Sequence, residues 1–243
     1  MFYLGPEDTA GDTDPPDWPG RFAELAVSAK DHRLARFYQA GTITGDTPLK
    51  DVPLVALDFE TTGLDPHKHG IVSIGMIPFT LNRIAVADGR YWLLKPRKPL
   101  ADSSVVVHGI THSEIHQAPD LDAVLEEVLR ALSGKIAVVH YRGIERPFLA
   151  DALKVRIGES IEFPVIDTMA LEARLHRQPK GLWERLKGKP PVSIRLADSR
   201  LRYGLPFYSP HHALTDALAT AELFQAQVAH HYSEETALSQ VWF

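Results

Sequence analysis

Apolar residues recur at Leu121, Val124, Leu125, Val128, Leu129 and Leu132, the spacing of one helix face. Gly134 stands where such a helix would stop. A longer run of the same kind covers residues 212–231, with Ala213, Leu214, Ala217, Leu218, Ala221, Leu223, Phe224 and Val228 on its apolar side. Shorter stretches have the character of strands. Residues 53–57 form an apolar run that ends at Asp58 and Glu60, before the turn signal Thr61-Thr62-Gly63. Residues 71–79 and 90–95 read as two further strands, joined by a connection whose Asp88-Gly89 is a hairpin signal. Residues 136–139 read as a buried strand and 146–155 as the helix after it. Residues 165–166 form a short strand delivering Asp167-Thr168, and 169–175 the next helix. Residues 178–191 read as a loop or broken helix, and 194–203 as a helix closed by Gly204.

This order predicts an α/β fold, a mixed sheet covered by helices. The first three strands should form an antiparallel meander. The later strand, reached through a crossover helix, should pair parallel to the first. Residues 1–20, rich in Pro, Gly, Asp and Thr, read as a loose tail. Residues 21–39 carry Phe22, Leu25, Ala26, Ala29, Leu34 and Phe37 at helical spacing. They predict one or two amphipathic helices packed on the main domain or on a protein partner. The expected organisation is a tail and helical extension over 1–50, a main domain over 51–232 and a C-terminal tail over 233–243. The aromatic end Gln240-Val241-Trp242-Phe243 reads as chain folding back on the domain.

Composition narrows the chemistry. The chain is 44% hydrophobic and 23% charged, enough apolar material for a sizeable core. It has no cysteine, which excludes disulfides, thiolate zinc sites and cysteine nucleophiles. The longest uncharged stretch near the core, residues 69–82, is too short to span a bilayer, and the acidic N-terminus does not read as a targeting signal. A cytoplasmic protein with no membrane contact is expected. The net charge of −5 hides a basic segment, residues 174–202, with nine Lys/Arg against Glu184 and Asp198. Such a segment, with Trp183 inside it, reads equally as a phosphate-tracking, base-stacking surface or as a solvated loop.

Asp58 and Glu60 lie two apart on a strand, so both point to one face while Phe59 points to the other. Two carboxylates so placed repel each other unless a cation neutralises them. Hard oxygen ligands suit Mg²⁺ or Mn²⁺.

Asp58-Phe59-Glu60-Thr61-Thr62-Gly63-Leu64 resembles the first motif of the DEDDh, DnaQ-like 3′–5′ exonucleases, such as the epsilon subunit of bacterial DNA polymerase III. Val107-His108-Gly109-Ile110-Thr111 resembles the family's His-Gly-Ile segment, and Asp167-Thr168 its Asp-Thr before a helix. His211-His212-Ala213-Leu214-Thr215-Asp216 resembles its third motif, a histidine five residues before an aspartate. Four short matches in family order, spanning about residues 52–226, imply a ribonuclease H-like fold.

The resemblance implies a two-metal phosphodiester hydrolase. Asp58, Glu60, Glu145 and Asp216 would hold two Mg²⁺ or Mn²⁺ ions, and His211 would be the general base. Thr61, Thr62, Gly63, Leu64 and His108 would meet the terminal nucleotide. His212 competes for the base's role, because it lies four residues before Asp216, where the sister DEDDy group has tyrosine. The second motif departs from the family's His-Asn-x-x-Phe-Asp pattern. Here it reads His140-Tyr141-Arg142-Gly143-Ile144-Glu145, with Tyr for Asn and Glu for Asp. Asp167 is read as a helix cap rather than a ligand. The expected partner is nucleic acid, single-stranded DNA or frayed 3′ ends, with nucleoside 5′-monophosphates released. RNA trimming and a catalytically impaired nucleic-acid binder are the alternatives.

Overall fold

The computed structural model describes residues 16–97, 112–177 and 191–243. His108, Trp183 and residues 178–190 of the basic segment lie outside them. Five strands form one mixed sheet: β1 (Leu54–Thr61), β2 (Ile71–Phe79), β3 (Arg90–Leu93), β4 (Ile136–Val139) and β5 (Val165–Asp167), in the order β3-β2-β1-β4-β5. β1, β2 and β3 pair antiparallel, while β4 pairs parallel to β1 and to β5. The α/β topology expected from the sequence is therefore the one observed.

The helices are α1 (Trp18–Ser28), α2 (His32–Gln39), α3 (His112–Gln117), α4 (Leu121–Leu132), α5 (Arg142–Ile157), α6 (Thr168–His176), α7 (Leu196–Arg202) and α8 (Ala213–His231). No described helix is long and apolar enough to cross a membrane. Leu121, Leu125, Val128, Leu129 and Leu132 of α4 are all buried, as its periodicity requires.

Three boundaries differ from the sequence reading. β1 carries Asp58 and Glu60 as read, but it does not stop before the Thr61-Thr62-Gly63 turn signal. It runs to Thr61 because β2 pairs with it along its whole length, with a register shift between Glu60 and Thr61. α1 begins at Trp18 rather than Arg21, since the Asp17 carboxylate accepts from the Gly20 amide at 3.1 Å and Pro19 sits in the first turn. α5 begins at Arg142, four residues before the sequence reading placed it, with Pro147 inside it. The cause lies on β5. The buried Asp167 carboxylate accepts from the amides of Tyr141 and Arg142, both at 3.0 Å, and so caps a start that no local residue marks.

The two N-terminal helices join the main core. Trp18, Phe22, Phe37 and Tyr38 are buried in the same cluster as the sheet residues. Phe22 meets Phe37 and Tyr38 at ring-centroid distances of 5.5 and 5.2 Å. The Glu159 carboxylate accepts from the amides of Lys30 and Asp31, each at 2.8 Å. The end of the chain is also packed. Leu238, Val241 and Trp242 are buried, and Phe243 exchanges backbone hydrogen bonds with Val165 beside β5.

Asp167 thus carries two helix starts, because it also accepts from the Met169 and Ala170 amides of α6, at 3.0 and 3.2 Å. Asp167→Ala leaves several of these donors without a partner in a dry setting. It should cost on the order of 3 kcal/mol in urea unfolding. A loss within about 0.5 kcal/mol, the usual range for a surface change, would show the double cap to be unimportant.

Candidate active site

β1 presents Asp58 and Glu60 on one face, paired across to Gly75 and Ser73 of β2. α8 crosses that face with an alanine stripe, Ala213, Ala217 and Ala221, fully buried beneath it. The approach is so close that a Cβ on Gly75 would overlap the Ala213 carbonyl and the Leu214 amide. This contact sets the first turn of α8, and with it Asp216, against the β1 pair. Ligand oxygens of Asp58, Glu60 and Asp216 lie within 4.8 Å of one another.

Crowding shows in their protonation. Burial, then the charges of Glu145, Glu60 and Asp216, push the Asp58 carboxyl well above the usual carboxylate range. Burial and Glu60 also raise Asp216, against the lowering effect of the His211 amide. The donor set is hard oxygen throughout, which fits a divalent cation such as Mg²⁺ or Mn²⁺.

Glu145 occupies the first turn of α5 and is buried. Its Oε2 has no hydrogen-bond partner. Burial, and after it the charge of Asp167, raises its carboxyl well above the usual range. Glu145 acts electrostatically on Asp58 but stands apart from the three-carboxylate group. The chain enters α5 through Tyr141 in a left-handed conformation, φ 97°, which asparagine tolerates and a bulky residue does not. Tyr141 is accommodated because Gly143 leaves room for its ring, which a Cβ there would approach to 2.6 Å.

The two third-motif histidines are placed differently. The His211 amide donates to Asp216 Oδ2 at 2.8 Å, from a left-handed backbone with φ 73°. The His212 ring lies on the Tyr91 ring instead, 4.9 Å between centroids and 11° between planes. In the β1–β2 connection, the Thr61 hydroxyl donates to the Gly63 carbonyl at 2.8 Å. The buried Thr62 accepts from the Gly70 amide at 3.0 Å. A Cβ on Gly63 would come within 2.6 Å of the His69 ring, which would have to shift to admit it. Leu64 is 60% exposed.

Sequence reasoning missed Gly75, since one glycine in an apolar run says nothing of what crosses it. It also missed the part played by His140. Nε2 of that residue donates to the Ile194 carbonyl at 3.1 Å, and Nδ1 lies 2.9 Å from the Thr168 hydroxyl. Burial pushes its pKa down to about 4. In the basic segment, Arg200 and Arg202 are engaged within the fold, with Glu222 and Glu172.

The exonuclease family model, RNase_T, matches residues 55–224, most of the chain, and the chain belongs to that exonuclease family. Its type is DEDDh, or DnaQ-like. The chain is 32% identical over 182 residues to DNA polymerase III PolC-type of Thermotoga maritima, covering 75% of this chain and 12% of that protein. It is 25% identical over 180 residues to the DNA polymerase III subunit epsilon of Treponema pallidum, covering 74% and 78%. The nuclease domain of 3′hExo, a DEDDh family member bound to rAMP, has the same fold. Its TM-score is 0.60 at 16% identity, covering 74% of this chain and 92% of that one.

Two outcomes follow from this geometry. Because Asp58 and Asp216 are raised, the metal-free folded protein binds their protons more tightly than the unfolded chain does. The contribution of these groups to stability is fully present below about pH 4 and is lost as pH rises towards their folded values. A divalent cation offsets the loss, by about 2.7 kcal/mol at a hundredfold excess over Kd. The melting temperature should therefore rise with Mg²⁺ or Mn²⁺, and more at about pH 8 than at about pH 5. A shift independent of pH would contradict it. Gly75→Ala should push the start of α8 off the sheet at a cost of roughly 1–3 kcal/mol and shrink the metal-induced shift. An undiminished metal shift would show that the glycine notch does not set the site.

Proposed function

We propose that the chain is a metal-dependent 3′–5′ exonuclease acting on single-stranded DNA or frayed ends and releasing nucleoside 5′-monophosphates. The observation that carries the proposal is the convergence of Asp58, Glu60 and Asp216 beside an exposed His211 tied through its amide to Asp216. Asp58, Glu60 and Asp216 would hold the ions, and Glu145 would join from the buried side of the site, where its unpartnered oxygen has no other use. When bound, two divalent cations supply an activated water and stabilise the departing 3′ oxygen. His211 takes the water's proton, its amide bond to Asp216 keeping it beside the carboxylates. Leu64, exposed beside β1, wedges against the terminal base, while Thr61, Thr62 and Gly63 shape the turn that meets its sugar.

The names of the polymerase III relatives favour DNA, although the chain spans only 12% of the PolC-type protein. The rAMP in the 3′hExo structure keeps RNA as a second reading. Matched 5′-labelled DNA and RNA oligomers, digested with Mg²⁺ or Mn²⁺, decide between them. DNA should shorten from its 3′ end, and faster than RNA. Asp58→Ala should abolish turnover, and His211→Ala should slow it on the order of 10²–10⁴-fold. If His212→Ala alone gave that loss, the base would be one residue later. Binding of both oligomers without cleavage under either metal would overturn the nuclease reading in favour of an impaired binder.

A further inference from the structure

Three strands share one transverse row. Asp58 on β1 pairs with Gly75 on β2, and Gly75 pairs with Tyr91 on β3. Directly paired residues direct their side chains to the same face. Tyr91 therefore rises on the face Asp58 uses, with the glycine notch between them and the start of α8 seated in that notch. His212 is the N-cap residue of α8, yet its side chain makes no capping hydrogen bond. Its ring lies flat on Tyr91 instead.

The residue before it, His211, has a backbone that L side chains rarely adopt, φ 73°. Such a conformation persists only where the surroundings hold it. Beside the 3.4 Å approach of the Thr215 hydroxyl to the His212 ring, two contacts bear on its placement. One is the His211 amide on Asp216, and the other is the stacked ring of the next residue on Tyr91. The first moves with the helix. The second anchors the loop to the sheet, on a strand bonded to β2 and in the row that carries Asp58.

We propose that Tyr91 is a positioning residue for His211. By stacking on His212 it keeps that ring out of the reaction and holds the His211 backbone in register with the carboxylates. This rests on the nuclease reading for what His211 does, but the placement itself does not.

The test pairs kinetics with spectroscopy on the full chain. Tyr91→Ala should lower kcat on the order of 10- to 100-fold, as small misplacements of reacting groups do, with KM for a DNA oligomer changed by less than roughly twofold. Tyr91→Phe keeps the ring and should restore kcat. Tyr91→Ala combined with His212→Ala should cost no more than either alone, because both remove one contact. In metal-free, isotope-labelled protein, the His211 ring resonances should move or broaden in Tyr91→Ala and stay in place in Tyr91→Phe. Wild-type kcat in Tyr91→Ala overturns the proposal, as do equal losses in the two Tyr91 variants or fully multiplicative losses in the double variant. An unmoved His211 resonance in Tyr91→Ala overturns it as well, independently of turnover. A wild-type chain that cut nothing would sink the nuclease reading, while the resonance would still decide the coupling.

Discussion

Like charges gathered in a half-buried corner push apart, and this protein holds them together by pressing a helix backbone onto a strand. The alanine stripe of α8 and the bare Cα of Gly75 let helix and sheet approach until Asp216 meets Asp58 and Glu60. The strand pair and the helix are far apart in sequence, so nothing local opposes the repulsion. Close packing along the whole length of α8 does. The site's chemistry is thus a product of tight apolar contact beneath it.

Asp167 plays the corresponding part on the other side. One buried carboxylate receives the first amides of α5 and of α6, so the helix bearing Glu145 is oriented by a residue on a different strand. An acid at a helix N-terminus is favoured by the exposed amides there. Glu145 gains from the same arrangement in the first turn of α5. The carboxylates of the region fall into two kinds: Asp167, saturated with donors, and Glu145, whose Oε2 has none.

Much of this was legible in the sequence, for reasons that differ by element. β4 and α4 follow their predicted limits because apolar spacing alone decides them. The Asp58–Glu60 pair could be seen because strand alternation makes two acids share a face. The start of α5 could not, since its cap lies on β5 and its first residue follows a tyrosine in a left-handed conformation. Spacing alone left His211 and His212 in competition. Their surroundings separate them, one ring stacked on a tyrosine and one amide bound to Asp216. Gly75 carried no signal at all until its neighbour across the layer was known.

The flank of α5 holds a cation of its own. Arg142 stands on the first turn with Glu145, its guanidinium 3.3 Å from Asp167 and 4.0 Å above the Phe243 ring, which Arg174 meets as well. The Phe243 ring and the buried Asp167 carboxylate hold that guanidinium at the start of α5, so the turn that carries Glu145 is pinned from β5 and from the aromatic segment beside it.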